Sequence, residues 1–166
     1  MVVNTDFWGE SEDDIEFFHQ LMKKFEEKTN IKKEGIIFVI ESLNHSLFKI
    51  NSTTGFNNND DAELTVIANN IIQIPLCIKD LINSFIDLSI EKFGGLALYT
   101  INKFGIYTTK DIGRCIGSFI QEDQFVKSRM FSKTKIDDIV NQFENIVDLN
   151  EALSMEKYIN RLPIPN

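Results

Sequence analysis

The sequence predicts a mainly α-helical fold, organised as a single-domain helical bundle over residues 1–166 with a winged-helix-like centre. Apolar residues recur at helical spacing along most of the chain, and glycines stand where several of these stripes end. A basic segment near residues 125–131 alternates as a short strand or hairpin does. A chain of 166 residues is long enough to bury a core without disulfides or metals.

Two helices are predicted at the start. The first begins at Ser11, a favourable N-cap residue, and carboxylates follow in its first turn. Its apolar stripe consists of Ile15, Phe18, Met22 and Phe25. The second helix runs from about Lys33 to Leu47, and its broad apolar face indicates a central position.

An Asn-rich segment, residues 51–63, follows these helices. It lacks periodicity, so we predict a flexible surface loop. Residues 64–74 are ambiguous, because their apolar residues suit either a helix or a strand that is ended by Pro75. Of the two, we favour the helix.

Glycines that end helices divide the central part of the chain into separate helices. A helix from about residue 76 ends at Gly94–Gly95, and a shorter helix, Leu96–Phe104, ends with Gly105 at its C′ position. In the winged-helix interpretation, the shorter helix is the positioning helix.

The next helix, Thr109–Gln121, carries the most regular apolar face. Thr108 and Asp111 precede and begin it as a capping-box variant, with Asp in place of Glu. This helix is the recognition helix of the winged-helix interpretation, and the segment near 125–131 is the wing.

Two further helices are predicted towards the C-terminus. Thr134 and Asp137 start the first of them. Asp148 or Asn150 starts the second, which ends before Pro163. The apolar face of that last helix consists of Ala152, Met155 and Ile159.

The net charge of −8 opposes, on average, an approach to nucleic acid or to a membrane. Between Lys103 and Lys135, however, seven basic residues stand against three acidic ones, a local net charge of +4. No apolar run approaches the ~20 residues that cross a bilayer, and no secretory signal precedes the first helix. We therefore expect a cytoplasmic protein with reduced thiols and no membrane partner.

No catalytic, cofactor or metal signature occurs, so we predict no such residue. His19 and His45 lack metal-ligand spacing, and phosphate-loop, dinucleotide and hydrolase motifs are missing. Cys115 lies within an apolar stripe, which is typical of a core thiol. Cys77, near a helix start beside Pro75, is better placed for reactivity.

The candidate binding site is a basic strip with two glycines. It consists of Lys110, Gly113, Arg114, Gly117, Lys127, Arg129, Lys133 and Lys135. Glycine within a helix costs about 1 kcal/mol relative to alanine, so Gly113 and Gly117 need a compensating reason. Either they pack against a neighbouring helix of the same domain, or the backbone or phosphate of a partner approaches them closely.

Four segments carry a family resemblance: EGIIFVIESLNHSLFK, SIEKFGGLA, INKFGIYTTKDIG and DLNEAL. Over residues 35–49 and 81–153 the chain resembles a family of short bacterial proteins described mainly from verrucomicrobia and planctomycetes. The pattern of that family is EAYxFVxEAL, ALExFGxLA, WGIxxTxDFGEIV and YDFxEAF. The family has no assigned activity, so the resemblance implies no catalytic residues. Phe104 replaces its tryptophan, and residues 75–78 replace its His-Val-Ser-Gly start.

These observations predict a non-catalytic protein–protein interaction module, an adaptor or regulatory subunit of a bacterial multi-protein system. An acidic exterior and a basic strip suit an electrostatically complementary protein partner, and self-association stays open. The alternative is a winged-helix nucleic-acid-binding protein that acts through the basic strip. A third hypothesis is a thiol-dependent enzyme that acts through Cys77.

Overall fold

The computed structural model describes residues 12–52, 63–68, 72–121, 126–127 and 136–165. This part of the chain is mainly α-helical, as predicted. Its helices are α1 (Glu12–Thr29), α2 (Lys33–Ser52), α3 (Ile78–Phe93), α4 (Ala97–Lys103), α5 (Thr109–Gln121), α6 (Ile136–Gln142), α7 (Leu149–Ala152) and α8 (Met155–Arg161). Its strands are β1 (Glu63–Ala68), β2 (Ile72–Cys77) and β3 (Val126–Lys127). One turn of 3-10 helix, Gly94–Leu96, joins α3 to α4.

Helix α2 lies at the centre of the core, as its broad apolar face predicted. Val39 is fully buried. The ring centroid of Phe38 lies 5.3 Å from that of Phe85, 5.4 Å from that of Phe93 and 6.3 Å from that of Phe104. Aromatic rings prefer such edge-on and tilted pairs. Phe38 therefore joins α2 to α3 and to the turn that follows α4.

Two interhelical turns dock onto one another. Asn30, at φ 58°, lies between α1 and α2, and Gly105, at φ 89°, follows α4. The Lys32 amide donates to the Phe104 carbonyl across the junction, at 2.8 Å. A Cβ atom on Gly105 would lie 2.8 Å from the Asn30 carbonyl oxygen, and one on Gly35 would lie 2.9 Å from Phe104 Cβ. The junction therefore depends on glycine at both positions.

Residues 64–68 and 72–74 correct our prediction, because they belong to strands and not to the helix that we favoured; residues 69–71 lie outside the described residues. β1 pairs antiparallel with β2, with Val66 opposite Ile74. The β-branched residues of the two strands are Thr65, Val66, Ile67, Ile72 and Ile74. Such side chains lose rotamer freedom in a helix and pack well on a pleated sheet. Pro75 lies in β2, an edge strand, where a missing N–H is tolerated.

Strand β3 adds to the other side of β1. Val126 lies opposite Val66, and Lys127 lies opposite Thr65, in antiparallel pairing. The strand order is therefore β2-β1-β3. The other residues of the predicted 125–131 segment lie outside the described residues.

The ends of the predicted loop at residues 51–63 belong to regular structure. Asn51 and Ser52 continue α2, which is therefore five residues longer than predicted, and Glu63 begins β1. Residues 53–62 lie outside the described residues.

The last predicted helix consists of two short helices. Asp148 caps α7, since its Oδ1 accepts the amide of Asn150 at 2.9 Å. Ser154 then caps α8, since its Oγ accepts the amide of Lys157 at 3.3 Å. A serine that satisfies the free amides of a first turn starts a new helix, so the continuous helix of our prediction is wrong at this point.

Replacing Gly105 with alanine is expected to lower the free energy of unfolding by about 2 kcal/mol or more. Alanine at positive φ is strained by roughly 1–2 kcal/mol, and its Cβ would crowd the Asn30 carbonyl. Urea unfolding followed by circular dichroism measures the loss. Gly95→Ala is the matched control, because Gly95 does not have a positive φ and its Cβ would meet the flexible end of Met155 and, at 3.3 Å, the Tyr158 ring rather than backbone. Equal losses for the two variants would contradict this account of the junction.

Candidate interaction surface

The N-terminus of α5 is built around Asp111. Its Oδ2 accepts the amides of Tyr107, at 2.9 Å, and Thr108, at 3.0 Å. The Thr108 hydroxyl donates to the same oxygen at 3.3 Å, and Arg114 pairs with Oδ1. A carboxylate here satisfies amides that have no partner within the helix and offsets the helix dipole. The predicted capping pair is confirmed, with one difference: the Thr108 hydroxyl donates to the carboxylate and does not accept an amide.

The two basic residues that α5 contributes to the strip both lie beside carboxylates. Lys110 Nζ lies 3.4 Å from Glu144 Oε1, and Arg114 pairs with Asp111. The partly exposed pair of Lys110 with Glu144 is worth only about 0–1 kcal/mol, whereas Asp111 is largely buried in its pair with Arg114. Both pairs reduce the positive charge that α5 presents to an anionic partner.

The glycines of α5 face the protein interior. A Cβ atom on Gly113 would lie 2.7 Å from Cβ and 2.8 Å from Cγ of Phe143, which is fully buried after α6. The Thr109 hydroxyl donates to the Phe143 carbonyl beside this contact. Gly117 is buried as well. Close packing within the chain therefore accounts for Gly113, which is one of the two explanations that the sequence left open.

The remaining members of the strip are placed only in part. Lys127 lies in β3 and pairs through its backbone with Thr65. Arg129, Lys133 and Lys135 lie outside the described residues. Among the described residues, the structure brings Lys110, Gly113, Arg114 and Gly117 together on α5.

The two thiols differ in their surroundings. Cys115 is buried on α5, and this burial raises the pKa of its thiol above the ordinary value; the charge of Asp111 adds to the rise and Arg114 opposes it. A protonated, enclosed thiol is a poor nucleophile, in keeping with the predicted core role. Cys77 is half-buried at the N-cap position of α3, the helix start that we predicted for it.

Neither histidine belongs to a metal centre in the part of the chain that the structure describes. Lys33 Nζ approaches His19 Nδ1 at 3.1 Å, whereas His45 Nδ1 is buried without a hydrogen-bond partner. Across the described ranges, no three His, Cys, Asp or Glu side chains are grouped to hold a metal ion. No described helix combines the length and the apolar character that a membrane span requires.

An exposed apolar stripe runs along α8. Met155 and Ile159 are four residues apart in α8, so their side chains share one face, and Leu162 follows directly after the helix as its extended C-cap residue. They are 52%, 56% and 47% exposed, and no residue of α8 is buried. We call these three residues the α8 stripe. Exposed apolar side chains that are grouped on one surface mark interaction sites, unlike single scattered ones.

The glycine turn after α3 supports α8. A Cβ atom on Gly95 would lie 2.6 Å from Met155 Sδ, and one on Gly94 would lie 3.3 Å from the Tyr158 hydroxyl. An exposed ion pair with α3 adds to this contact, since an Arg161 guanidinium nitrogen lies 3.2 Å from Asp87 Oδ1. The α8 helix therefore rests on the bare backbone of two glycines, and the outer part of its apolar face stays uncovered.

Two more exposed apolar residues follow this glycine turn. Leu96 and Tyr99 are 63% and 60% exposed. Lys103 lies over the Tyr99 ring, with Nζ 5.4 Å from the centroid, in a cation–π contact. Leu96 belongs to the 3-10 turn that contacts α8, so it extends the apolar character of the surface beside that helix.

The periodicity of the sequence did not reveal this surface, because it predicted Met155 and Ile159 on one face of a continuous helix with Ala152. The signal that could have revealed the surface is Ser154 followed by Glu156, an N-cap residue with a carboxylate in the first turn. A helix restart at Ser154 changes which residues share a face with Ala152.

No protein-family model, curated protein or solved structure matches this chain. We therefore infer its function from its own surface and contacts.

The two thiols are expected to react differently with DTNB. Cys115 is 1% exposed and its thiol pKa is raised, so it should stay unreacted in the folded protein at pH 8 and react after unfolding. The Cys77→Ser variant should therefore show no reaction when folded and one thiol per chain in denaturant. Rapid reaction of the folded Cys77→Ser variant would contradict the burial of Cys115.

Proposed function

We propose that this chain is a non-catalytic protein–protein interaction module, an adaptor or regulatory subunit of a bacterial multi-protein system. We further propose that it binds its partner through the α8 stripe. The observation that carries this proposal is the exposure of two apolar side chains on one face of α8, and of Leu162 directly after it, at a helix that buries none of its residues.

The roles of the motif residues at the centre of the chain support this proposal. Gly105 serves the turn junction, Thr108 and Asp111 cap α5, and Gly113 makes room for Phe143. These residues belong to the segments that carry the family resemblance, and contacts within the chain account for each of them. Ile159 and Leu162 are about half exposed, and Met155 is about half exposed although its Sδ packs on Gly95, so the outer surfaces of these residues are the better candidates for binding.

Burial of the α8 stripe would contribute to the energy of recognition. Burying an exposed Leu, Ile or Met side chain contributes about 1.5–3 kcal/mol. Each residue of the stripe is about half exposed, so roughly half of that energy is still available from each. A few such anchors supply most of the energy of a protein interface.

The winged-helix interpretation, with nucleic acid as the partner, is the alternative. It is favoured by the positive charge between Lys103 and Lys135. A recognition helix needs an exposed face, however, and most of the described side chains of α5 are buried. The ion pairs of Lys110 and Arg114 with carboxylates weaken this alternative further. A thiol-dependent enzyme acting through Cys77 stays a third hypothesis, and an unchanged cellular phenotype of Cys77→Ser would eliminate it.

The proposal predicts that capture of a partner depends on Ile159. The full chain is used as bait in nuclease-treated lysate of its host, beside Ile159→Asp and Asn160→Asp. Both variants add one negative charge to α8, but only Ile159→Asp interrupts the stripe. We expect a stoichiometric partner with the wild type and Asn160→Asp, and a loss of about tenfold or more with Ile159→Asp. Equal capture by all three baits would overturn the role of the stripe.

The nucleic-acid alternative predicts that binding depends on Arg129 and not on the α8 stripe. If the basic strip binds DNA, Arg129→Glu should weaken binding to a DNA duplex and reduce its salt dependence, because one phosphate contact is lost. If the chain binds protein through the α8 stripe, Arg129→Glu should leave the captured partner unchanged. If the wild type binds DNA and Arg129→Glu abolishes this binding, the nucleic-acid alternative is favoured.

A further inference from the structure

The surface around α8 is acidic. Four carboxylates and two cations lie there: Asp87, Asp148, Glu151 and Glu156, with Lys157 and Arg161. Both cations already have carboxylate partners, since Lys157 Nζ lies 3.7 Å from Glu151 Oε1 and Arg161 lies 3.2 Å from Asp87 Oδ1. Among the described residues, no cation pairs with Asp148 or Glu156. The apolar stripe therefore has net negative charge beside it.

An open cleft of about 600 Å³ lies beside α8, between α3 and α7. Its apolar lining consists of Ile86, Val147 and Ala152, which are buried or half-buried. The carboxylates of Asp87, Asp148 and Glu151 also line it. An apolar wall with carboxylates near solvent matches a long cationic side chain, whose alkyl stem packs on apolar atoms while its charged head stays hydrated.

From these features we infer that the partner presents a helix with an apolar stripe flanked by lysine or arginine. Its apolar residues pack on the α8 stripe, and a lysine or arginine beside them enters the acidic cleft. This inference rests on the proposed function and adds the chemistry of the partner. A second copy of the chain is the competing occupant, and the net charge of −8 on each chain opposes its approach on average.

The ion pairs inside the cleft do not block this mode of binding. The side chains of Lys157, Glu151, Arg161 and Asp87 are 53%, 71%, 48% and 44% exposed. Exposed pairs of this kind are weak, so a partner's cation can share or displace them. The cleft therefore offers carboxylates to an incoming cation without first exposing a buried charge.

Two synthetic peptides test the inference: an amphipathic helix of leucine and lysine, and the same helix with glutamate at every lysine position. Isothermal titration calorimetry measures the Kd of each peptide for the full chain and for the variants Ile159→Asp, Asn160→Asp and Glu151→Gln. We expect the lysine peptide to bind, and the glutamate peptide to bind at least about tenfold more weakly. Ile159→Asp should raise the Kd of the lysine peptide about tenfold or more. Glu151→Gln should raise it by about threefold at low salt and less at high salt.

Asn160→Asp is the control, because it adds the same charge to the same helix without interrupting the stripe. It should leave the lysine peptide bound at least as tightly as the wild type does. Circular dichroism of each variant confirms that it folds.

Three results would overturn the inference. Equal affinity for both peptides would remove the requirement for a basic partner, while sensitivity to Ile159→Asp would still support the α8 stripe as the binding surface. If Ile159→Asp leaves the affinity for the lysine peptide unchanged, the peptide binds elsewhere on the chain. If analytical ultracentrifugation shows that the wild type is a dimer and that Ile159→Asp dissociates it, the α8 stripe binds a second copy of the chain. If capture from lysate also proves independent of Ile159, the proposed function fails together with the inference.

Discussion

The docking of two turns holds the helical core in register. A single backbone hydrogen bond, from the Lys32 amide to the Phe104 carbonyl, joins the turn between α1 and α2 to the turn between α4 and α5. Such close approach is available only because Gly105 and Gly35 carry no Cβ atom. Phe104 also lies against the central ring of Phe38, so the same junction links the turns to the core. The position of α5 therefore follows from backbone contact and not from side-chain packing alone.

The junction of the two turns positions helices that have different roles. Helix α5 is largely enclosed: Gly113 accommodates Phe143, Cys115 is buried, and the carboxylate of Asp111 is occupied by the helix cap. Helix α8, by contrast, rests on two glycines and leaves Met155 and Ile159 about half exposed. The segments with the strongest sequence motifs therefore build the scaffold, and the outer surface of α8 is where this scaffold meets a partner in our proposal.

Much of the helical structure could be predicted from local sequence. The range of α5, the cap at Asp111, the left-handed position of Gly105 and the burial of Cys115 all follow from features within a few residues of one another. Helical periodicity determines which side chains share a face, and caps and glycines determine where a helix begins and ends. These are local properties of the chain, so the sequence alone determined them.

The tertiary structure decided what covers each face. Residues 64–68 and 72–74 pair as strands because β1 gains its hydrogen bonds from two other segments, and no local pattern specifies those partners. Glycine is required at position 113 because Phe143, which lies 30 residues further along the chain, packs against its backbone. The apolar face of α8 is periodic like that of a core helix, yet Ile159 is exposed because nothing in the described chain covers it. Periodicity groups side chains on a face, but only the packing of distant segments determines whether that face is buried or open to a partner.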